Sequence, residues 1–465
     1  MPSLCLCYAV HEPYRLRRYT VFDMGQNSAY EDDDHNCDAL LHAARACYLP
    51  MNDVLMRIIR RHGKAFKLAF SISGTALDQF EQYAPEVLDS FKALADTGCV
   101  EFLAETAPHS LAFLYSREEF ALQVKQHCAR IKQVFGVKPT TFRHTELVYN
   151  NDLAAALQAL GFKAVLAEGT DHVLGWRSPN WLYQPVSAPG MGLLLRNCQL
   201  SADIGRRFSD QSWNQWPLTA EKYASWVHSL ADEAEVINIF NDCHSFGLRN
   251  PASSGIFEFM EALPDAILAH RDFSFATPAE VVKKRTPVGE IDMPQFMSWD
   301  DEGADLTAWL GNDMQKDAIH SLYALTERVR KLDAPDLHRD FERLQTSEHF
   351  HYISTKWFAN FVPDRPNPFQ SPYDAYIAYM NVLADFEMRV GAAEATAAPK
   401  KATRTAGRKA AAPATDTAKA KTTGRTASKS KAVAKPAKAE SPAPDTSRPA
   451  SRRGSKAKTE TVRGR

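Results

Sequence analysis

The feature that most constrains this chain is a repeated alternation in its first 290 residues. Short apolar runs are separated by segments with helical periodicity, and polar residues sit where the runs end. "LCLCYAV" reads as a buried strand ending at His11-Glu12-Pro13. "MNDVLMRIIRRHG" carries apolar residues at helical spacing and stops at Gly63. "KLAFSIS", "VEFLAET", "TTFRHTE", "KAVLAEG" and "VINIFND" are further strand-like runs. Helix-like segments such as "LDSFKALADTG" and "EEFALQVKQHCARIKQVFG" lie between them, each with a glycine stop. Such alternation predicts a parallel sheet with helical crossovers, as a barrel or as an open doubly wound sheet. His11, Glu105, His109, Glu146, Asp171 and Asp242 fall at or just past predicted strand ends. In either architecture that end builds the site.

Residues from about 305 to 390 read as long amphipathic segments without strands, which predicts a helical subdomain. From about Gly391 the composition turns to Ala, Lys, Arg, Thr, Ser and Pro, which predicts a disordered tail. Residues 391–465 hold 19 Lys+Arg against 5 Asp+Glu, whereas residues 1–390 hold 36 against 51. The near-zero net charge therefore hides an acidic body and a basic tail, the latter suited to weak contact with polyanions such as nucleic acid. The eight cysteines show no zinc-type spacing and suggest reduced thiols in a cytoplasmic protein. No leader-like N-terminus or membrane-length apolar run is evident.

Gly-rich phosphate loops, GxSxG and HExxH are all absent. The histidines at 11, 109, 144, 172 and 244 lack a local pair at ligand spacing, so no metal is expected. What remains is a pair of strand-end carboxylates, Glu146 in "TFRHTELVYNND" and Asp242 in "NIFNDCHSFG". A nucleophile and a general acid/base of this kind are what glycoside hydrolysis needs. On position alone, a helix-capping carboxylate would look the same.

These residues carry a resemblance to glycoside hydrolase family 57, in its α-amylase-type members. "YAVHEPYRLRRY", "GCVEFLAETAPHSL", "TFRHTELVYNN" and "NDCHSFG" resemble four of its motifs in order. "GIFEFMEALP", "FSFATPAEVV", "MPQFMSWDDEGADLTAWLGNDMQ" and "TSEHFHYISTKW" resemble its later segments. The resemblance covers residues 1 to about 390. It implies an α/β fold: an incomplete TIM-like (β/α)7 barrel over 1–290, a C-terminal helical bundle over 291–390, and the tail 391–465 outside it. It implies a retaining enzyme without cofactor or catalytic metal, cleaving α-1,4-glucosidic bonds in glycogen, starch or maltodextrins. Glu146 would be the nucleophile and Asp242 the acid/base, with His11, His109, His144, His244 and Trp309 as substrate contacts. A non-catalytic glucan-binding homologue and a 4-α-glucanotransferase are the alternatives on the same fold. Two motifs depart from the usual pattern. Cys243 and His244 replace a Tyr and a Glu, and Ala107 and Pro108 replace two Tyr.

Overall fold

In the computed structural model the described residues are 1–300, 303–356 and 367–397. Seven strands form the ring of the central sheet: β1 (Ser3–Val10), β2 (Leu68–Ile72), β3 (Val100–Phe102), β4 (Thr141–Arg143), β5 (Ala164–Glu168), β6 (Gly192–Arg196) and β7 (Val236–Asp242), and an eighth, two-residue strand, Ser274–Phe275, pairs parallel with the start of β1 outside the ring. Every pairing among them is parallel, and the order is β3-β2-β1-β7-β6-β5-β4. The two ends of this path meet. Ala104, just past β3, bridges Phe142 of β4, with Ala104 N donating to Thr141 O at 2.9 Å and Arg143 N to Ala104 O at 2.8 Å. The sheet is thus a closed seven-stranded barrel, one unit short of the common eight. Strands buried on both faces explain the unbroken apolar runs, since helices cover the outside.

The helices follow their sequence signals. Arg117–Phe135 is capped by Ser116, whose side chain accepts from Glu119 N, and it ends at Gly136 with φ 72°. The helical stretch between β1 and β2 is longer than the periodicity predicts. It begins at Asp33, passes through a π-helical segment at Ala44–Tyr48 and continues as Leu49–His62. A π-bulge re-aims side chains and is common near functional sites. This one carries Cys47 and Tyr48 to the loop after β7.

The chain after the barrel is helical: Thr307–Leu310, Asp313–Tyr323, Thr326–Arg330, Pro335–Leu344, Ser347–Tyr352 and Pro372–Ala397. The last helix runs past Gly391, where the sequence suggests that order ends. Residues 398–465, which hold most of the basic tail, lie outside the described residues. The helices share one apolar cluster with the barrel, in which Phe142, Val165 and Leu193 join Trp309, Phe341, Phe350 and Tyr379. An extended segment crosses the C-terminal face of the barrel before the helices begin. It pairs Met297 with Tyr149 through two reciprocal 2.9 Å hydrogen bonds.

Gly247 closes "NDCHSFG" with φ 109°, and a Cβ there would meet the carbonyl oxygen of Ala46 at 1.8 Å. That oxygen is backbone and cannot swing aside as a flexible side chain could. Gly247→Ala should therefore cost more than about 3 kcal/mol through backbone strain and overpacking. Gly289→Ala, with no atom within 4 Å of the new carbon, should be near neutral. Urea unfolding of both variants checks this, and equal midpoints would contradict it.

Candidate active site

β4 ends at Arg143, and the chain turns sharply through Thr145–Leu147. Glu146 and Leu147 adopt left-handed backbone, φ 52° and 51°, which costs a non-glycine residue free energy that surrounding contacts must offset. The turn places the Glu146 side chain over the barrel mouth, only 3% exposed. Trp299 donates its indole N–H to Glu146 Oε2 at 2.6 Å, and its backbone N donates to Glu146 O at 3.2 Å. His109 Nε2 lies 3.2 Å from Glu146 Oε1. His109 is itself left-handed, φ 56°. Three of the four non-glycine residues with positive φ among the described residues therefore lie in this one cluster.

Behind Glu146 the charges alternate. His109 Nδ1 lies 3.1 Å from Glu105 Oε2, and Arg143 Nη1 donates to the same oxygen at 2.9 Å. All four side chains are almost fully buried. Burial by itself would raise the Glu105 carboxyl. The hydrogen bond and charge of His109, with Arg143, outweigh it and hold Glu105 at about 2. Burial would likewise lower His109, but its bonds to Glu105 and Glu146 push it up to about 9. At neutral pH the ring is an imidazolium donating from both nitrogens, which suits an ionised Glu146.

His11 stacks on His109 with centroids 3.9 Å apart and planes 18° from parallel. Its Nδ1 lies 2.8 Å from Ser73 Oγ, and its Nε2 lies 3.0 Å from Glu348 Oε2, on the helix Ser347–Tyr352. His11, His109 and Glu348 offer nitrogen and oxygen atoms within 4.8 Å of one another, a spacing compatible with a cation. Both His109 nitrogens also face carboxylates, Glu105 Oε2 and Glu146 Oε1.

Asp242 ends β7, opposite Ala9 of β1, and its Oδ1 accepts from His244 N at 3.0 Å. It is half-buried and lines a cleft of about 1260 Å³. Trp299 lines the same cleft, so the indole that holds Glu146 also faces the space beside Asp242. Asp171, His172, Glu168 and Arg196 form another wall, the last two paired at 2.9 Å. His244 Nε2 lies 2.9 Å from Glu12 Oε1 and 2.7 Å from Tyr48 Oη. Burial would depress His244, but Asp242 and Glu12 raise it to about 9. The position that resembles a carboxylate site in the family motif thus holds a cation beside Asp242.

Of the sequence-predicted residues, His11, His109 and Glu146 come together, and His244 sits beside Asp242. His144 and Trp309 lie elsewhere. His144 is buried among Phe113, Phe120 and Phe142, and burial holds it at about 3, so it is an uncharged core residue. Trp309 is 0% exposed and packs in the apolar cluster of the helical part. Neither presents a surface to substrate. Two site residues escaped sequence reasoning, Trp299 and Glu348. Both lie within segments that carry the family resemblance, "MSWDDEG" and "TSEHFHY".

The charged string has a definite pH signature. His109 is raised on folding, so its contribution is complete below about pH 6.5 and is lost as pH rises through about 9. Glu105 is lowered, so its contribution is complete above about pH 4.5 and is lost as pH falls through about 2. Unfolding free energy should accordingly drop between pH 6.5 and 9. In Glu105→Gln, the His109 ring followed by NMR should titrate well below 9. A ring still titrating near 9 in that variant would contradict the assigned cause.

Comparison with known proteins identifies the family of the chain. Residues 5–294 match the model of the family described as Glycosyl hydrolase family 57. A Methanocaldococcus jannaschii protein described as "Putative alpha-amylase" is 40% identical over 397 residues, covering 82% of this chain and 83% of its own. Among solved structures, a family 57 branching enzyme from Thermococcus kodakaraensis superposes with TM-score 0.62 at 14% identity, over 84% of this chain and 90% of that one. A 4-alpha-glucanotransferase from Thermococcus litoralis gives TM-score 0.59 at 16% identity, over 75% of this chain and 56% of that longer one. At these identities the structural likenesses speak for the fold. The family match over more than half of the chain, with the 40% identical relative, carries the assignment: this chain belongs to glycosyl hydrolase family 57 and is a glycoside hydrolase of that family.

Proposed function

We propose that the protein is a retaining enzyme acting on α-1,4-linked glucans, with Glu146 as nucleophile and Asp242 as acid/base. The observation that carries this reading is the cradle of Glu146. A buried carboxylate is costly unless paired and hydrogen-bonded. Here one oxygen faces an imidazolium and the other an indole N–H, on a left-handed turn at the barrel mouth. A structural carboxylate capping a helix needs none of this.

In the first step Glu146 attacks the anomeric carbon of a glucosyl unit in the cleft. Asp242 gives its proton to the departing glycosidic oxygen. In the second step Asp242 takes a proton from water, and that water displaces Glu146 with restored configuration. The contacts from His109 and Trp299 fix the direction in which Glu146 attacks. Trp299 at the cleft wall supplies an aromatic contact to the sugar, while His109, which has no exposed surface, acts through Glu146. His244 stands next to Asp242 and supplies positive charge there. The names of the 40% identical relative and of the fold neighbours favour glucan as the substrate class.

Product analysis on maltooligosaccharides tests the reading. Wild type should release shorter oligosaccharides whose new reducing ends are first α-anomers, seen by NMR before mutarotation. Glu146→Gln should abolish turnover, and Asp242→Asn should lower kcat by about 10²–10⁴, both with unchanged unfolding midpoints. Unaltered rates in both variants would sink the proposal. Redistributed chain lengths with little net hydrolysis would assign the same chemistry to transglycosylation. Glucan affinity without turnover in wild type would identify a binding protein instead.

A further inference from the structure

We infer that Glu348, carried by the helical part, is a positioning residue for the nucleophile: it holds His11 against His109 and so fixes the partner of Glu146. The inference rests on the reading of Glu146 as nucleophile and adds a residue from outside the barrel to that machinery.

The geometry is a relay of four groups. Glu348 Oε2 lies 3.0 Å from His11 Nε2, the His11 ring lies flat on His109 at 3.9 Å, and His109 Nε2 faces Glu146 at 3.2 Å. His11 is tied at its other nitrogen to Ser73 Oγ at 2.8 Å. With a polar partner at each nitrogen, the ring is restrained in the stack. Without Glu348 its polar contacts would all be at Nδ1, with Ser73 Oγ and with Thr75 Oγ1 at 3.4 Å, and the ring could pivot about them.

Docking of the helical segment does not need this carboxylate. Ser347 N donates to His109 O at 3.1 Å, and Thr346 bridges Ser110. These backbone contacts fasten the segment to the loop that carries His109. A buried carboxylate added on top of them, aimed at a histidine of the site, calls for a role beyond docking.

The charges acting on Glu348 are His11 after β1, His109 after β3 and Glu146 on the turn after β4, and Ser347 Oγ donates to Glu348 Oε2 at 3.2 Å. Its neighbour His349 is turned away, with Nε2 at 3.1 Å from Arg343 O and its ring held at about 4 by burial. Burial would raise Glu348, but His11 and His109 more than offset it and hold its carboxyl well below the usual range, against opposition from Glu146. Glu348 therefore supports the imidazolium of His109 and repels the anion of Glu146.

The test is Glu348→Gln and Glu348→Asp in the full chain. Two readouts are followed: kcat/KM against pH on a maltooligosaccharide, and the NMR titration of the His109 ring. In Glu348→Gln the His109 titration should fall from about 9. The acid limb of kcat/KM should move to lower pH, because Glu146 loses a like charge while His109 is still protonated there. Misplacement of the nucleophile should lower kcat by about 10- to 100-fold, with a smaller change in KM. Glu348→Asp should recover part of each effect. A Gln variant that only unfolds more easily, with the pH profile and the His109 titration in place, would overturn the inference. If wild type turns over no glucan, the reading of function fails, yet the His109 titration still decides whether Glu348 acts on this ring.

Discussion

The structure turns on one buried string of alternating charge: Arg143, Glu105, His109, Glu146. Each member would be expensive to bury alone, and each is compensated by the next. The string also spans a critical seam of the barrel. β3 and β4 are three residues long, and Ala104 with Phe142 supplies the bridge that closes the ring between them. Glu105 and His109 come from one side of that seam, Arg143 and Glu146 from the other. The side-chain charges therefore reinforce a junction where the backbone ladder is short, and the same string ends on the proposed nucleophile. Stability and chemistry share these groups, so changes in the string should affect both.

The barrel does not finish its own site. Trp299 reaches Glu146 from the extended segment after the last barrel helix, and Glu348 reaches His11 from a helix still later in the chain. Met297 pairing with Tyr149 and Ser347 bonding to His109 bring these segments to the right strand ends. The common apolar cluster has the same consequence. Barrel residues such as Phe142 and Leu193 and helical residues such as Phe341 and Phe350 pack together, so the helical part is a wall of the site.

How much of this could be read from sequence depends on the physical signal each residue leaves. Six of the seven strands announced themselves as apolar runs, and their polar ends pointed to His11, His109, Glu146 and Asp242. β6 left too little signal: its run is three leucines, "GLLLR", emerging from a stretch rich in Pro, Gly and Trp. His144 is adjacent to a site residue in sequence, yet successive side chains at a strand end point to opposite faces, and His144 goes to the aromatic core. Only the family resemblance points to Trp309, and its helix buries it. Trp299 lies in an extended segment with no periodicity to mark it. Glu348 looks like any helical glutamate until the fold places it 3.0 Å from His11. Family resemblance drew attention to both segments, and three-dimensional contact was needed to pick out the residues.

The central claim is that Glu146 forms the bond to the sugar. Incubation with an activated fluorinated α-glucosyl substrate, whose glycosyl-enzyme intermediate turns over slowly, should trap that bond. Proteolysis and mass spectrometry should then find one added glycosyl mass on the peptide containing "TFRHTELVYNND", at Glu146, and none in Glu146→Gln. A label on another carboxylate, or steady turnover with inversion and no trapped species, would contradict the account.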